Sequence, residues 1–214
     1  MKSDEGLEVA VRVGNLRGIK HALRKGADPN LCMTDEGRSI LCLAASSGNA
    51  RIVQALIEAG AKPGSEKAGT TSLHAAAEAG DVKIVEWVLN AGGKGLLNRF
   101  DARERTPLMC AVERGSMDVV RTLLEAGADV NARANPRASN TALRIAAGEG
   151  MVEMARLLLD YGADPLFPGR LMLTPLDRAR ERHTPEGRLI AHFITKTLEA
   201  REEQARHSRG KKRR

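Results

Sequence analysis

The chain has 214 residues, of which 42% are hydrophobic and only 2% aromatic, and its formal net charge is +7. That length leaves room for a real core, but with Trp87, Tyr161, Phe100, Phe167 and Phe193 as its only Phe, Tyr or Trp rings the core must be built from Ala, Leu, Val and Ile. This composition argues against aromatic-rich β-sandwiches and against nucleic-acid binders that stack bases on aromatic platforms.

The charge is unevenly placed. Residues 1–200 hold 27 Lys and Arg against 25 Asp and Glu, whereas residues 201–214 hold 7 against 2. The body is therefore almost neutral, and the whole chain's pI of about 9.7 is no evidence that the folded part binds nucleic acid. Cys32, Cys42 and Cys110 are sparse and lack a C-x-x-C pair, which reads as reduced thiols in a cytosolic protein rather than a disulfide framework or a zinc site. The first residues lack the apolar run of a secretory signal, and no stretch is long and apolar enough for a membrane span. The expectation is a soluble cytoplasmic chain without membrane association.

Along the chain the same landmarks return. A Leu followed seven residues later by Gly occurs at Leu7/Gly14, Leu41/Gly48, Leu73/Gly80, Leu108/Gly115 and Leu143/Gly150. A second glycine follows each at Gly26, Gly60, Gly92, Gly127 and Gly162, so that successive steps are 34, 32, 35 and 35 residues. Leu176 continues the series. Each unit reads as two short helices. Thr106-Pro107 and Thr174-Pro175 supply a capping hydroxyl and a proline at the first helical position. Small alanines follow, and the first glycine ends the helix in the left-handed conformation. The second helix carries paired apolar residues: Ile52, Val53, Leu56 and Ile57; then Ile84, Val85, Val88 and Leu89; then Val119, Val120, Leu123 and Leu124. One unit cannot bury both stripes, so neighbours must stack.

Thr71-Ser72-Leu73-His74-Ala75-Ala76, Thr106-Pro107-Leu108 and Gly127-Ala128-Asp129-Val130-Asn131-Ala132 resemble the ankyrin repeat. The resemblance covers roughly residues 5–198. It implies an all-α solenoid of stacked helix pairs joined by turns or short β-hairpins, with about six repeats counting the caps. The domain then spans 1–200, with repeats near 5–33, 34–65, 66–98, 99–133, 134–167 and 168–200, and 201–214 is a basic, disordered tail. The first unit lacks Thr-Pro-Leu and reads as an N-terminal cap. The extra residues in 92–98 and the long junction 133–137 predict mobile or bulged loops. In the last unit His183 replaces the helix-ending glycine, and Leu189, Ile190, Phe193, Ile194 and Leu198 form the stripe of a capping helix.

No catalytic constellation emerges. None of the five histidines forms H-E-x-x-H or pairs with a Cys at metal-ligand spacing. His74 stands where the resemblance assigns a histidine to hydrogen bonding between repeats, and Cys42 takes that place in its own repeat. Gly92-Gly93-Lys94-Gly95 lacks the spacing and context of a phosphate-binding loop. The expectation is no enzyme, no metal and no cofactor; an unrecognised thiol site would lie at Cys42 or Cys110.

The resemblance implies binding through the concave face formed by the first helices and through the turn tips. Those positions include Arg38, Glu78, Arg103, Arg105, Glu113, Arg114, Arg133, Arg137, Asn140, Gly148, Arg170, Glu181 and Arg182. Arginine suits bidentate pairing with carboxylates, so the reading is a monomeric adaptor, scaffold or inhibitor that docks an acidic protein. The alternative is a nuclear or nucleic-acid-associated regulator. In it Lys211–Arg214 resembles a nuclear-localisation cluster, and the tail contacts nucleic acid without sequence preference.

Overall fold

The computed structural model describes residues 2–32, 37–64, 69–135, 140–168 and 173–211. They fall into two compact units, Met1–Ala134 and Asn135–Arg214. The first contains four helix pairs: α1 (Lys2–Arg12) and α2 (Leu16–Arg24), α3 (Ile40–Ser46) and α4 (Ala50–Glu58), α5 (Ser72–Ala79) and α6 (Val82–Asn90), α7 (Pro107–Arg114) and α8 (Met117–Glu125). The second contains two: α9 (Ala142–Glu149) with α10 (Val152–Asp160), and α11 (Pro175–Glu181) with α12 (Pro185–Lys211). Within the first unit, first helices pack on first helices in the order α1, α3, α5, α7, and second helices follow the order α2, α4, α6, α8. In the second unit α9 packs on α11 and α10 on α12.

The local reasons repeat with the pattern. Ser39, Thr71, Thr106, Thr141 and Thr174 accept the N–H of Cys42, His74, Met109, Arg144 and Asp177 at 3.1–3.4 Å, which satisfies one orphan donor at each first-helix start. At the other end Gly80, Gly115 and Gly150 cap α5, α7 and α9 at φ 77°, 76° and 76°. His183 follows α11 at φ 52°, in the conformation the missing glycine would take. Between these ends Leu41, Leu73, Leu108 and Leu143 are all buried, and Ala44, Ala76, Ala111 and Ala146 let the helices approach closely.

One expectation is narrowed and two change. Among the described residues no strand forms: one isolated bridge joins Cys32 to Ser39, and the segment that leads into α7 is a tight turn. Residues 92–98 form an ordered, packed turn: Gly93–Leu96 is a 3-10 helix, and Leu96 and Leu97 are buried. Gly92 sits at φ 106°, and a Cβ on Gly93 would come 2.5 Å from the Val88 carbonyl oxygen, so two apolar side chains and two glycines pull the insertion onto α6. The junction 133–137 lies partly outside the described residues. Finally, α12 continues through the segment expected to be disordered, as far as Lys211. Residues 200–206 are strong helix formers, Arg206 pairs with Glu202 one turn away, and Arg201 donates to the Ala163 carbonyl at 3.0 Å. Lys212–Arg214 lie outside the described residues. Among those described, no helix is long and apolar enough to cross a membrane, and no cluster of His, Cys, Asp and Glu could hold a metal ion.

Candidate functional site

The turn that leads into α7 is built around Asp101. Its Oδ1 accepts the backbone N–H of Arg103 at 2.8 Å and of Arg105 at 2.9 Å, and its own N–H donates to the Arg105 carbonyl at 2.9 Å. Glu104 closes the turn at φ 59°, a conformation more usual for glycine. The Arg105 guanidinium folds back over this turn. It donates to Asp101 Oδ2 at 2.7 and 2.9 Å, to Glu78 of α5 at 2.6 Å and to Glu113 of α7 at 2.8 Å. One cation thus meets three carboxylates. Burial works against its charge, yet the bonds to Glu113, Asp101 and Glu78 outweigh that and hold its pKa above the ordinary arginine value. Burial likewise opposes ionisation of Asp101, but the backbone and side-chain bonds from Arg105 and the backbone bond from Arg103 hold its carboxyl below the usual range.

Two buried groups lie against this network. His74 donates from Nε2 to the Arg105 carbonyl at 2.9 Å, while its Nδ1 accepts the Thr71 N–H at 3.3 Å. The resemblance predicts such a bond between repeats, and it is present. Burial lowers the His74 pKa, with the bond to Arg105 pulling the other way. Burial pushes the Cys110 thiol up to about 12, although the Arg105 charge acts against this. Cys42 is fully buried.

Arg38, Arg103 and Arg105 come together around a cavity of about 400 Å³ that Thr70, Glu78, Asp101 and Ala102 also line. Arg38 is half-buried, while Arg103 and Arg114 are exposed. Glu113 belongs to this group through Arg105. Arg133 is half-buried in the first unit. Arg137 and Arg170 lie outside the described residues. In the first unit Arg103 thus shares a cavity with Glu78 and Asp101, and Arg105 is engaged within the fold.

The second unit has a different balance. Asn140 is exposed and accepts a bond from Arg144. Arg182 donates to the Gly148 carbonyl, and Arg178 pairs with Glu181 at 3.1 Å. A Cβ on Gly148 would meet the Arg178 guanidinium at 3.3 Å, and one on Gly150 would meet Arg182 at 2.9 Å. Arg144 and Arg178 were not among the residues that sequence reasoning selects. Their signal is faint: Arg144 takes the His74 position of its repeat, and Arg178 stands one residue further along, where Ala75 and Cys110 stand in theirs.

No curated protein matches the chain. The profile of the family described as Ankyrin repeats (3 copies) matches residues 7–95 and 93–168, which together make up most of the sequence. The helix pairs, their threonine and glycine ends and the stacking order within each unit agree with that match: the chain belongs to the ankyrin repeat family.

Proposed function

We propose that the chain is a non-enzymatic interaction module, an adaptor, scaffold or inhibitor, that holds an acidic protein partner against the exposed face of its first helices and its turn tips. Ankyrin repeats are generally protein–protein interaction modules. The observation that carries the finer reading is the Asp101 turn. It presents Arg103 to solvent from a backbone tied down at both ends, beside a cavity that Arg38 and Arg103 line. Arginine at such a position is suited to bidentate pairing with a carboxylate. The module acts as a monomer in the cytoplasm.

The test is affinity capture from native cell extract with mass spectrometry, using wild type beside the double variant Arg38→Glu, Arg103→Glu. A partner recovered by the first and lost by the second supports the reading, and identical recoveries sink it. The second reading, nuclear or nucleic-acid association, draws support from the helical continuation of α12 into the basic segment. It predicts DNA binding that falls steeply with salt and disappears when Lys211–Arg214 are changed to Gln.

A further inference from the structure

In the third and fourth repeats the residue two places before the helix-ending glycine is an acid, Glu78 before Gly80 and Glu113 before Gly115, and both acids neutralise Arg105. In the fifth repeat that place belongs to Gly148, before Gly150. The carboxylate is missing there, and cations have gathered around the gap. Arg144 lies one turn earlier on the same face of α9. The Arg178 guanidinium lies 3.3 Å from where a Gly148 side chain would begin, and Arg182 is bonded to the Gly148 carbonyl. The Nε groups of Arg178 and Arg182 are buried and have no hydrogen-bond partner. Glu181 pairs with Arg178, and α9 offers the partial negative charge of its last carbonyls. This leaves an excess of positive charge in a half-buried place.

We propose that the α9–α11 surface binds a carboxylate side chain from an acidic segment of a partner protein, seated beside Gly148 among Arg144, Arg178 and Arg182. The proposal rests on the interaction-module reading and names a contact point for it. The occupant is a carboxylate because the surrounding charge is cationic, and because the same chain satisfies Arg105 with carboxylates, Glu78 and Glu113, at the equivalent places two repeats in a row. The pKa of Arg144 agrees: burial lowers it first, the neighbouring charge of Arg178 lowers it further, and only Glu181 acts the other way. An incoming anion relieves both effects.

The test supplies the missing carboxylate in cis. Gly148 lies inside α9 and is not in the left-handed region, so a side chain there suits the helix, and the atoms it meets belong to the movable end of Arg178. Full-length Gly148→Glu and Gly148→Gln are compared with wild type by fluorescence anisotropy, using a labelled hexaglutamate peptide at about 0.15 M salt. Both side chains enter the proposed seat, so both variants should weaken the peptide, but Gly148→Glu should lose about tenfold more than Gly148→Gln because it also neutralises the cluster, the scale of one charge-assisted hydrogen bond. Gly148→Glu should also melt at a higher temperature than Gly148→Gln, because its carboxylate settles the cluster. Arg178→Gln, with its circular dichroism melt as a check on folding, should weaken the peptide about tenfold.

Equal binding by the Glu and Gln variants would overturn the proposal, as would a wild type that does not bind hexaglutamate. Tighter binding of hexathymidylate, lost in the same Gly148→Glu variant, would overturn the choice of a protein carboxylate. Loss of hexaglutamate in Arg38→Gln, Arg103→Gln with no effect of Gly148→Glu would remove the contact from α9–α11. The interaction-module reading would then stand or fall on the captured partner alone.

Discussion

The His74 imidazole of the third repeat donates its Nε2 proton to the backbone carbonyl of Arg105 in the fourth, at 2.9 Å across 31 residues of chain. The ring also closes its own helix start by accepting the Thr71 N–H on Nδ1. Only the neutral ring with its proton on Nε2 makes both bonds. A second proton on Nδ1 would face the Thr71 N–H.

That tautomer makes stability depend on pH. The folded pKa of His74 lies below the ordinary 6.5, chiefly because the ring is buried. The unfolded chain therefore takes up the proton first, and stability is lost as pH falls from about 6.5 through the folded pKa. Chemical denaturation of wild type should show this loss, and His74→Ala should show a flatter pH dependence. At pH 7 the same variant should be less stable by about 1–3 kcal/mol, since it strands the Arg105 carbonyl and the Thr71 N–H.

Asp101 and Glu113 both pair with Arg105, but unequally. The Asp101 side chain is 2% exposed and that of Glu113 is 38% exposed. Asp101→Asn should cost about 3 kcal/mol, the low end for breaking a buried pair, because Glu78 and Glu113 remain. Glu113→Gln should cost under about 1 kcal/mol, because solvent screens it. The folded pKa of Asp101 is depressed, so its contribution is complete above the ordinary 3.8 and is lost as pH falls below it. Urea titration of both variants at neutral and acid pH checks the ranking.

Leu108 is 1% exposed at the centre of α7. Leu108→Ala should destabilise the protein by about 2–5 kcal/mol through lost transfer energy and the cavity left behind. An unchanged thermal melt would contradict that burial.

His183 holds a positive φ of 52° on the surface after α11. His183→Gly should stabilise by about 0.5–1 kcal/mol, because relief of left-handed strain exceeds the added freedom of the unfolded glycine. The melting temperature should rise accordingly.

The thiols should separate by reactivity. Cys42 and Cys110 are buried, and Cys110 is pushed up to about 12, whereas Cys32 is only half-buried. Labelling of the folded protein with a maleimide at neutral pH should modify Cys32 first, and mass spectrometry of timed digests reads the order.

Helix ends were the legible part of the sequence because they act locally. A threonine three residues ahead of the N–H it caps, or a glycine that turns left, carries its meaning within one turn. Spacing of Leu73, Leu108 and Leu143 then sets the repeat and its core. The partners of Arg105 are another matter. Its three carboxylates come from 27 residues before, 4 before and 8 after, and nothing near Arg105 announces that they converge. An arginine at a turn therefore reads as a free cation until the fold places Glu78 beside it. The Gly148 gap is hidden for a related reason, since a missing side chain has meaning only when its neighbours in space are known. In 92–98, extra residues suggest slack, and burial of Leu96 and Leu97 removes it.

The Asp101 turn has a kinetic and entropic consequence for any encounter at Arg103. Its backbone is already fixed by Asp101 Oδ1 and by the cross-turn bond to Arg105, so a ligand that meets Arg103 immobilises a few side-chain rotamers and no loop. Preorganisation of this kind removes a conformational search from the docking step. It makes the turn a fixed address on the surface, whose loss through Asp101→Ala, which removes the Oδ1 acceptor, would slow capture of a partner even where every contacting side chain is intact.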